Sequence, residues 1–145
     1  MRRRILLLLL CGFLFTCNKK ADDVIDDKNT NLQWSKNLSS HEMEWEAARK
    51  YCSNLKLAGV EDWRLPTKAE LETTIIRDLK DKNPESTERP FHGPFIVEID
   101  GYIFSGTHVE GYKDAPYVMR LANGHIFNGK GYKAYARCVR DKSFN

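Results

Sequence analysis

Cysteine, histidine and the carboxylates are the side chains whose types could carry nucleophilic, metal or acid–base chemistry, and their spacing narrows what they can do. The chain has four cysteines (Cys11, Cys17, Cys52, Cys138), four histidines (His41, His92, His108, His125) and 20 acids. No two histidines form an HxxxH or HxH pair, whereas a zinc site needs three or four converging ligands, some at short fixed spacings. No EF-hand loop, nucleophile elbow, P-loop or dinucleotide fingerprint occurs. Nothing selects one acid–base pair from the 20 carboxylates. The expectation is a chain that is not an enzyme, with no catalytic residue, no bound metal and no cofactor.

Recognition chemistry is better represented. The stretches His108-Val-Glu-Gly-Tyr112-Lys113-Asp-Ala-Pro-Tyr117 and Gly129-Lys-Gly-Tyr132-Lys133-Ala-Tyr135 combine tyrosine, lysine and glycine in expected loops. Tyrosine offers a flat apolar face with a hydroxyl at its tip, which suits a sugar or a protein partner. His108, Tyr112, Lys113, Tyr117, Tyr132 and Lys133 are therefore the candidate ligand surface. The competing reading is that alternate tyrosines, Tyr135 for example, pack within a sheet.

The amino terminus carries a different kind of chemistry. Arg2, Arg3 and Arg4 precede an apolar run from Ile5 to Phe15. That run is too short to cross a bilayer, which takes roughly 20 residues, and suits the apolar core of a signal peptide. It ends in Leu14-Phe15-Thr16-Cys17, which resembles a bacterial lipobox, with Thr16 where a smaller residue is usual. The resemblance implies cleavage before Cys17, acylation (palmitate included) of its thiol and attachment to a lipid bilayer. It also implies the cell envelope, at the outer membrane or cell surface rather than the inner membrane. Ordinary secretion and an uncleaved anchor are the alternatives. Loss of the three leader arginines takes the basic residues from 23 to 20, equal to the acids, so the net charge falls from +3 to 0. A neutral chain has no electrostatic case for binding nucleic acid.

With Cys11 in the leader and Cys17 acylated, Cys52 and Cys138 remain. In an oxidising compartment a disulfide is the default for such a pair. A metal pair or a reactive thiol is the rival, though no CxxC and no adjacent histidine supports it.

These residues must be held by elements that the pattern outlines. Residues 17–28 are mostly polar and read as a flexible tether, on the order of 35 Å when extended, with the domain spanning 29–145. Asn31-Leu32-Gln33-Trp34 alternates as a short strand does. Ser39-x-x-Glu42 reads as a capping box opening a helix whose Trp45, Ala48, Cys52 and Leu55 share one face. Thr67-x-x-Glu70 is a second box, opening a helix from Thr67 to Leu79. Residues 80–94, rich in proline and charge, read as an exposed loop. Asp100-Gly101 is expected to turn a hairpin between Phe95–Ile99 and Tyr102–Phe104. Asn123-Gly124 is expected to turn another, between Tyr117–Leu121 and Ile126-Phe127. Tyr135–Val139 is expected as the last strand. Helices early and strands late make the class α+β, with a mainly antiparallel sheet.

The run from Trp45 through Asp62-Trp63-Arg64-Leu65-Pro66-Thr67 to Leu71 resembles the Lcl C-terminal domain family, a C-type-lectin-like domain of bacterial surface proteins. Asn29-Thr-Asn-Leu32-Gln-Trp34 is similar to the family's opening strand, and Arg137-Cys138-Val139-Arg140 to its closing one. Phe104-Ser105-Gly106-Thr107 stands where the family has WSST. The resemblance covers about residues 29–140. It implies a lectin-like α+β fold with a Cys52–Cys138 disulfide, and a glycan or protein ligand. The sequence lacks the Glu-Pro-Asn and Trp-Asn-Asp motifs of calcium-dependent sugar binding. The Trp45–Glu70 stretch is also similar to formylglycine-generating enzymes, which need a further cysteine pair for copper. A structural envelope component without a soluble ligand is the remaining alternative. The DWRLPT block itself is expected to be structural, with Arg64 bonding backbone carbonyls or Asp62.

Overall fold

A computed structural model describes residues 23–76 and 90–142. Val24–Asp27 (β1) and Leu32–Ser35 (β2) pair antiparallel, with Ile25 opposite Trp34. Side chains alternate across a strand, so Leu32 and Trp34 share the buried side of β2 while Gln33 faces outward. The closing strand Val139–Asp141 (β6) adds to the other edge of β2. A second antiparallel sheet runs in the order Tyr102–His108 (β3), Pro116–Arg120 (β4), Ile126–Asn128 (β5). Between the sheets in sequence lie the helices Trp45–Ser53 (α1) and Lys68–Thr73 (α2). Among the described residues the fold is α+β, with two antiparallel sheets and one disulfide.

Cys52 and Cys138 are that disulfide, with sulfurs 2.06 Å apart across a sequence separation of 86. Both cysteines are fully buried. The helical face anticipated from spacing does turn inward, with Ala48 and Cys52 completely covered. Around the bridge pack Trp63, Leu65, Phe104, Val118 and Ala136. A second cluster, including Trp34, Leu71, Phe91, Ile103, Met119 and Leu121, draws on both sheets and α2.

Local signals held where nothing distant competed. Thr67 caps α2 as expected: its hydroxyl accepts from the Glu70 N–H at 3.2 Å, and the Glu70 carboxylate accepts from the Thr67 N–H at 2.7 Å. Asn123-Gly124 joins β4 to β5, with Gly124 at φ +68°.

Several expectations are corrected. Val24–Asp27 is a strand rather than tether, and the Lys36 N–H donates to the Asp23 carbonyl at 2.9 Å, so the fold begins before Asn29. The first helix starts at Trp45, not Ser39. The buried Ser39 hydroxyl accepts from the Ala136 N–H at 3.0 Å and donates to the His41 carbonyl at 2.9 Å, so a distant partner takes the group that would have capped a helix. No strand occupies Phe95–Ile99: a 3-10 turn covers Gly93–Phe95, and Asp100-Gly101 turns no hairpin. Gly101 instead lets Tyr135 approach, since a Cβ there would lie 2.9 Å from its ring. The last strand is Val139–Asp141, while Ala134 and Tyr135 make only isolated bridges, to Met43 and Ile103. Finally, α2 ends at Thr73. Leu79 and most of the expected loop lie outside the described residues, as do the leader, Cys11 and Cys17. At the loop's described end Pro90 and Phe91 are buried, and the Ile76 N–H donates to the Pro90 carbonyl, while His92, Gly93 and Pro94 are exposed as expected.

Candidate functional site

The motif segments hold one another. Arg64 pairs through its backbone with Val139, donating at 2.9 Å and accepting at 2.8 Å. Its guanidinium forks onto Glu70 at 2.8 and 2.7 Å and reaches Asp141 at 3.2 Å. Of its two expected partners, Arg64 keeps a backbone carbonyl, that of Leu65 at 3.4 Å, while Asp62 belongs to Arg140, whose Nε and Nη2 donate to it at 2.6 and 3.0 Å. Phe104-Ser105-Gly106-Thr107 latches onto the same block. The Gly106 N–H donates to the Pro66 carbonyl at 2.7 Å, the Ser105 hydroxyl donates to that carbonyl at 3.1 Å, and the Thr107 hydroxyl accepts from the Lys68 N–H at 3.0 Å. A Cβ at Gly106 would meet the Leu65 carbonyl at 3.3 Å, so the backbones come close here.

Electrostatics follow from this clasp. Burial alone would raise the Glu70 carboxyl, but hydrogen bonds from Arg64 and the Thr67 backbone outweigh it and hold Glu70 below the ordinary glutamate range. Asp62 is held low by the Arg140 hydrogen bond, and Asp26 by that of Gln33. Arg137 is the exception. Burial pulls its pKa down to about 10, and its guanidinium donates to the Phe95 and Lys36 carbonyls at 3.2 and 2.9 Å. It thereby staples the β2 end to the Gly93–Phe95 turn, a role no sequence pattern announced.

Beside the clasp lies an open groove of about 520 Å³ between α1 and the Trp63–Thr67 segment. Arg49, Lys50 and Arg64 rim it, with Glu46 as the acid, and Trp63 and Leu65 contribute apolar walls. Arg49 is bound at 3.1 Å to Glu46 and lies 5.0 Å from the Trp45 ring centre, so it is partly spoken for.

The six residues proposed from sequence do not form one patch. His108 packs its ring 4.6 Å from that of Trp45. Tyr117, half-buried on β4, has the Lys68 ammonium 5.0 Å above its ring. Lys133 reaches Glu44 at 3.8 Å. Tyr132 sits on a small aromatic shelf, with ring centres 5.1 Å from Tyr102 and 5.3 Å from Phe127, and His125 stacks on Phe127 at 5.6 Å. Tyr112 and Lys113 line a shallow depression of about 230 Å³ together with Lys130. Loops 109–115 and 128–133 are therefore neighbours. Tyr112 is 59% exposed and Tyr132 40%. Sequence reasoning missed Lys130 and the Tyr102–Phe127–His125 shelf. Tyr102 and Phe127 stand opposite neighbours on β4, but only strand register puts them side by side.

Gly129 makes this arrangement possible. A Cβ there would lie 2.4 Å from a Val118 methyl and 3.0 Å from the Pro116 carbonyl. The Gly129 N–H donates to that carbonyl at 2.8 Å, and the Tyr132 N–H donates to the Gly129 carbonyl at 3.1 Å. The loop thus folds flat on β4 and brings Tyr132 over the shelf. Among the described residues no three His, Cys, Asp or Glu side chains converge as metal ligands.

Fold and surface together define a class: a small disulfide-pinned α+β domain whose motif residues form an internal clasp and whose β-sheet loops stay open. The family model of the Lcl C-terminal domain matches residues 23–140, and the chain belongs to that family. The match begins at Asp23, just before β1, rather than at Asn29. A comparison with the curated proteins found no match.

Proposed function

We propose that the chain is a bacterial envelope lipoprotein, held to a membrane through an acylated Cys17, whose lectin-like domain is a non-catalytic module that binds a glycan or a protein. One observation carries the binding part. Two adjacent loops present Tyr112 and Tyr132 to solvent, with Lys113 and Lys130 beside them and free of ion pairs among the described residues. Exposed tyrosines on a rigid support give contact area at low cost in side-chain entropy. The non-catalytic part is supported by the disulfide, which takes up both thiols outside the leader and Cys17. The anchor is supported by the Arg2–Arg4 cluster, the apolar Ile5–Phe15 run and the Leu14–Cys17 box. A buried disulfide fits the oxidising space that export supplies.

The test is a screen of the domain on a glycan array and on immobilised extracellular-matrix proteins, with and without EDTA. A hit that survives EDTA and is lost in Tyr112→Ala with Tyr132→Ala supports the reading. Silence in both screens favours a structural envelope component instead. Processing that is blocked by globomycin, and lost in Cys17→Ala, supports the anchor.

A further inference from the structure

We infer that the end of the domain carrying Asp23, Tyr51 and Lys36 lies against the headgroups of the bilayer, so that the domain is held in one orientation rather than swinging on a leash. The inference rests on the lipoprotein reading and goes beyond it. Chain length and the new fold boundary carry it. Asp23 is already fixed to the domain by the Lys36 N–H. Six residue steps separate it from Cys17. An extended chain advances at most about 3.5 Å per residue, so Asp23 stays within about 20 Å of the acylated residue. A domain of this size is about 35 Å across, by the usual scaling of radius with length. A leash shorter than the domain's width cannot pass round it. The side on which the chain emerges must therefore face the membrane.

That side has matching chemistry. Asp23 shares a cleft of about 200 Å³ with Ser35, Asn37, Tyr51, Leu55 and Leu57. Tyr51 is 37% exposed on the outside of α1, and Leu55 and Leu57 are half-buried. Lys36, between two cleft residues, is exposed and has no ion pair among the described residues. A ring with an apolar body and a polar tip suits the interface of a bilayer, and a free lysine suits anionic headgroups. No residue of loops 109–115 or 128–133 lines this cleft, so docking here leaves the tyrosine surface open to a ligand.

The experiment uses the full lipidated protein in vesicles of phosphatidylethanolamine and phosphatidylglycerol, with bromines on the acyl positions nearest the glycerol. Tyr51→Trp should lose emission to the brominated lipid beyond the wild-type loss. Tyr112→Trp, a more exposed position, should lose no more than wild type. Hydrogen exchange gives a readout without a tryptophan substitution: amides 50–57 should exchange more slowly on vesicles than in soluble Cys17→Ala protein. Intact mass on the same sample reports acylation. Acylated protein in which Tyr51→Trp is quenched no more than wild type, or in which both variants are quenched alike, overturns the orientation and leaves the anchor standing. Protein that carries no acyl group and does not bind vesicles overturns both.

Discussion

The clasp and the loop surface use the same residue types to opposite ends. Around Arg64 the charged groups are consumed: Glu70, Asp141, Asp62 and Arg140 are partnered within the fold. Around Tyr112 and Tyr132, the neighbouring Lys113 and Lys130 stay free of ion pairs among the described residues, and the rings face solvent. The family-defining motif therefore belongs to the half of the molecule that holds it together. The exposed tyrosines Tyr112 and Tyr132 lie outside that motif. A charged side chain satisfied by a neighbour has little left to offer a ligand, whereas an exposed tyrosine has its whole face to offer.

The largest effect is expected at the disulfide. Cys138→Ala removes a cross-link spanning 86 positions and leaves Cys52 buried and unpaired, so thermal or denaturant unfolding should show a loss of about 4 kcal/mol or more. If stability barely moves, the scaffold half is not what the clasp makes it. Gly129→Ala is expected next, at about 1–3 kcal/mol, because the added methyl meets Val118 and Pro116. It should also displace Tyr132 and change the near-ultraviolet circular dichroism of the shelf. Thr67→Ala should cost about 1 kcal/mol by removing the α2 cap.

Acid sharpens the contrast further. Glu70, Asp62 and Asp26 are all held below their ordinary values of 4.5, 3.8 and 3.8. The unfolded chain then takes up protons first as pH falls, so their contribution is complete above about pH 5 and is lost through pH 4 and below. Equilibrium unfolding at stepped pH should show that decline, reduced in Glu70→Gln. The smallest stability effect belongs to Tyr112→Ala, within about 0.5 kcal/mol as for other exposed positions. It should nevertheless weaken binding to any ligand the screen finds. A Tyr112→Ala variant that unfolds readily would place the loop in the scaffold and erase the distinction.

Features that depend on residues a few positions apart were legible in the amino-acid order. Thr67 and Glu70 meet because a helical first turn puts them there, and Asn123-Gly124 turns β4 into β5 because glycine accepts the positive φ. The inward face of α1 followed from spacing, and the Cys52–Cys138 disulfide was the expected default, with a metal pair or reactive thiol as its rival. Tertiary structure decided the rest. Ser39-x-x-Glu42 has the same pattern as Thr67-x-x-Glu70, yet its hydroxyl is taken by Ala136, nearly a hundred residues on. Val24–Asp27 looks like tether but becomes a strand because β2 offers it an edge and Ile25 a buried place opposite Trp34. Arg137 reads as an ordinary basic residue, and only the meeting of two distant carbonyls makes it a buried staple. The division has one physical cause. A hydrogen bond across one turn is fixed by backbone geometry, while a bond across the chain exists only once the whole fold has brought its partners together.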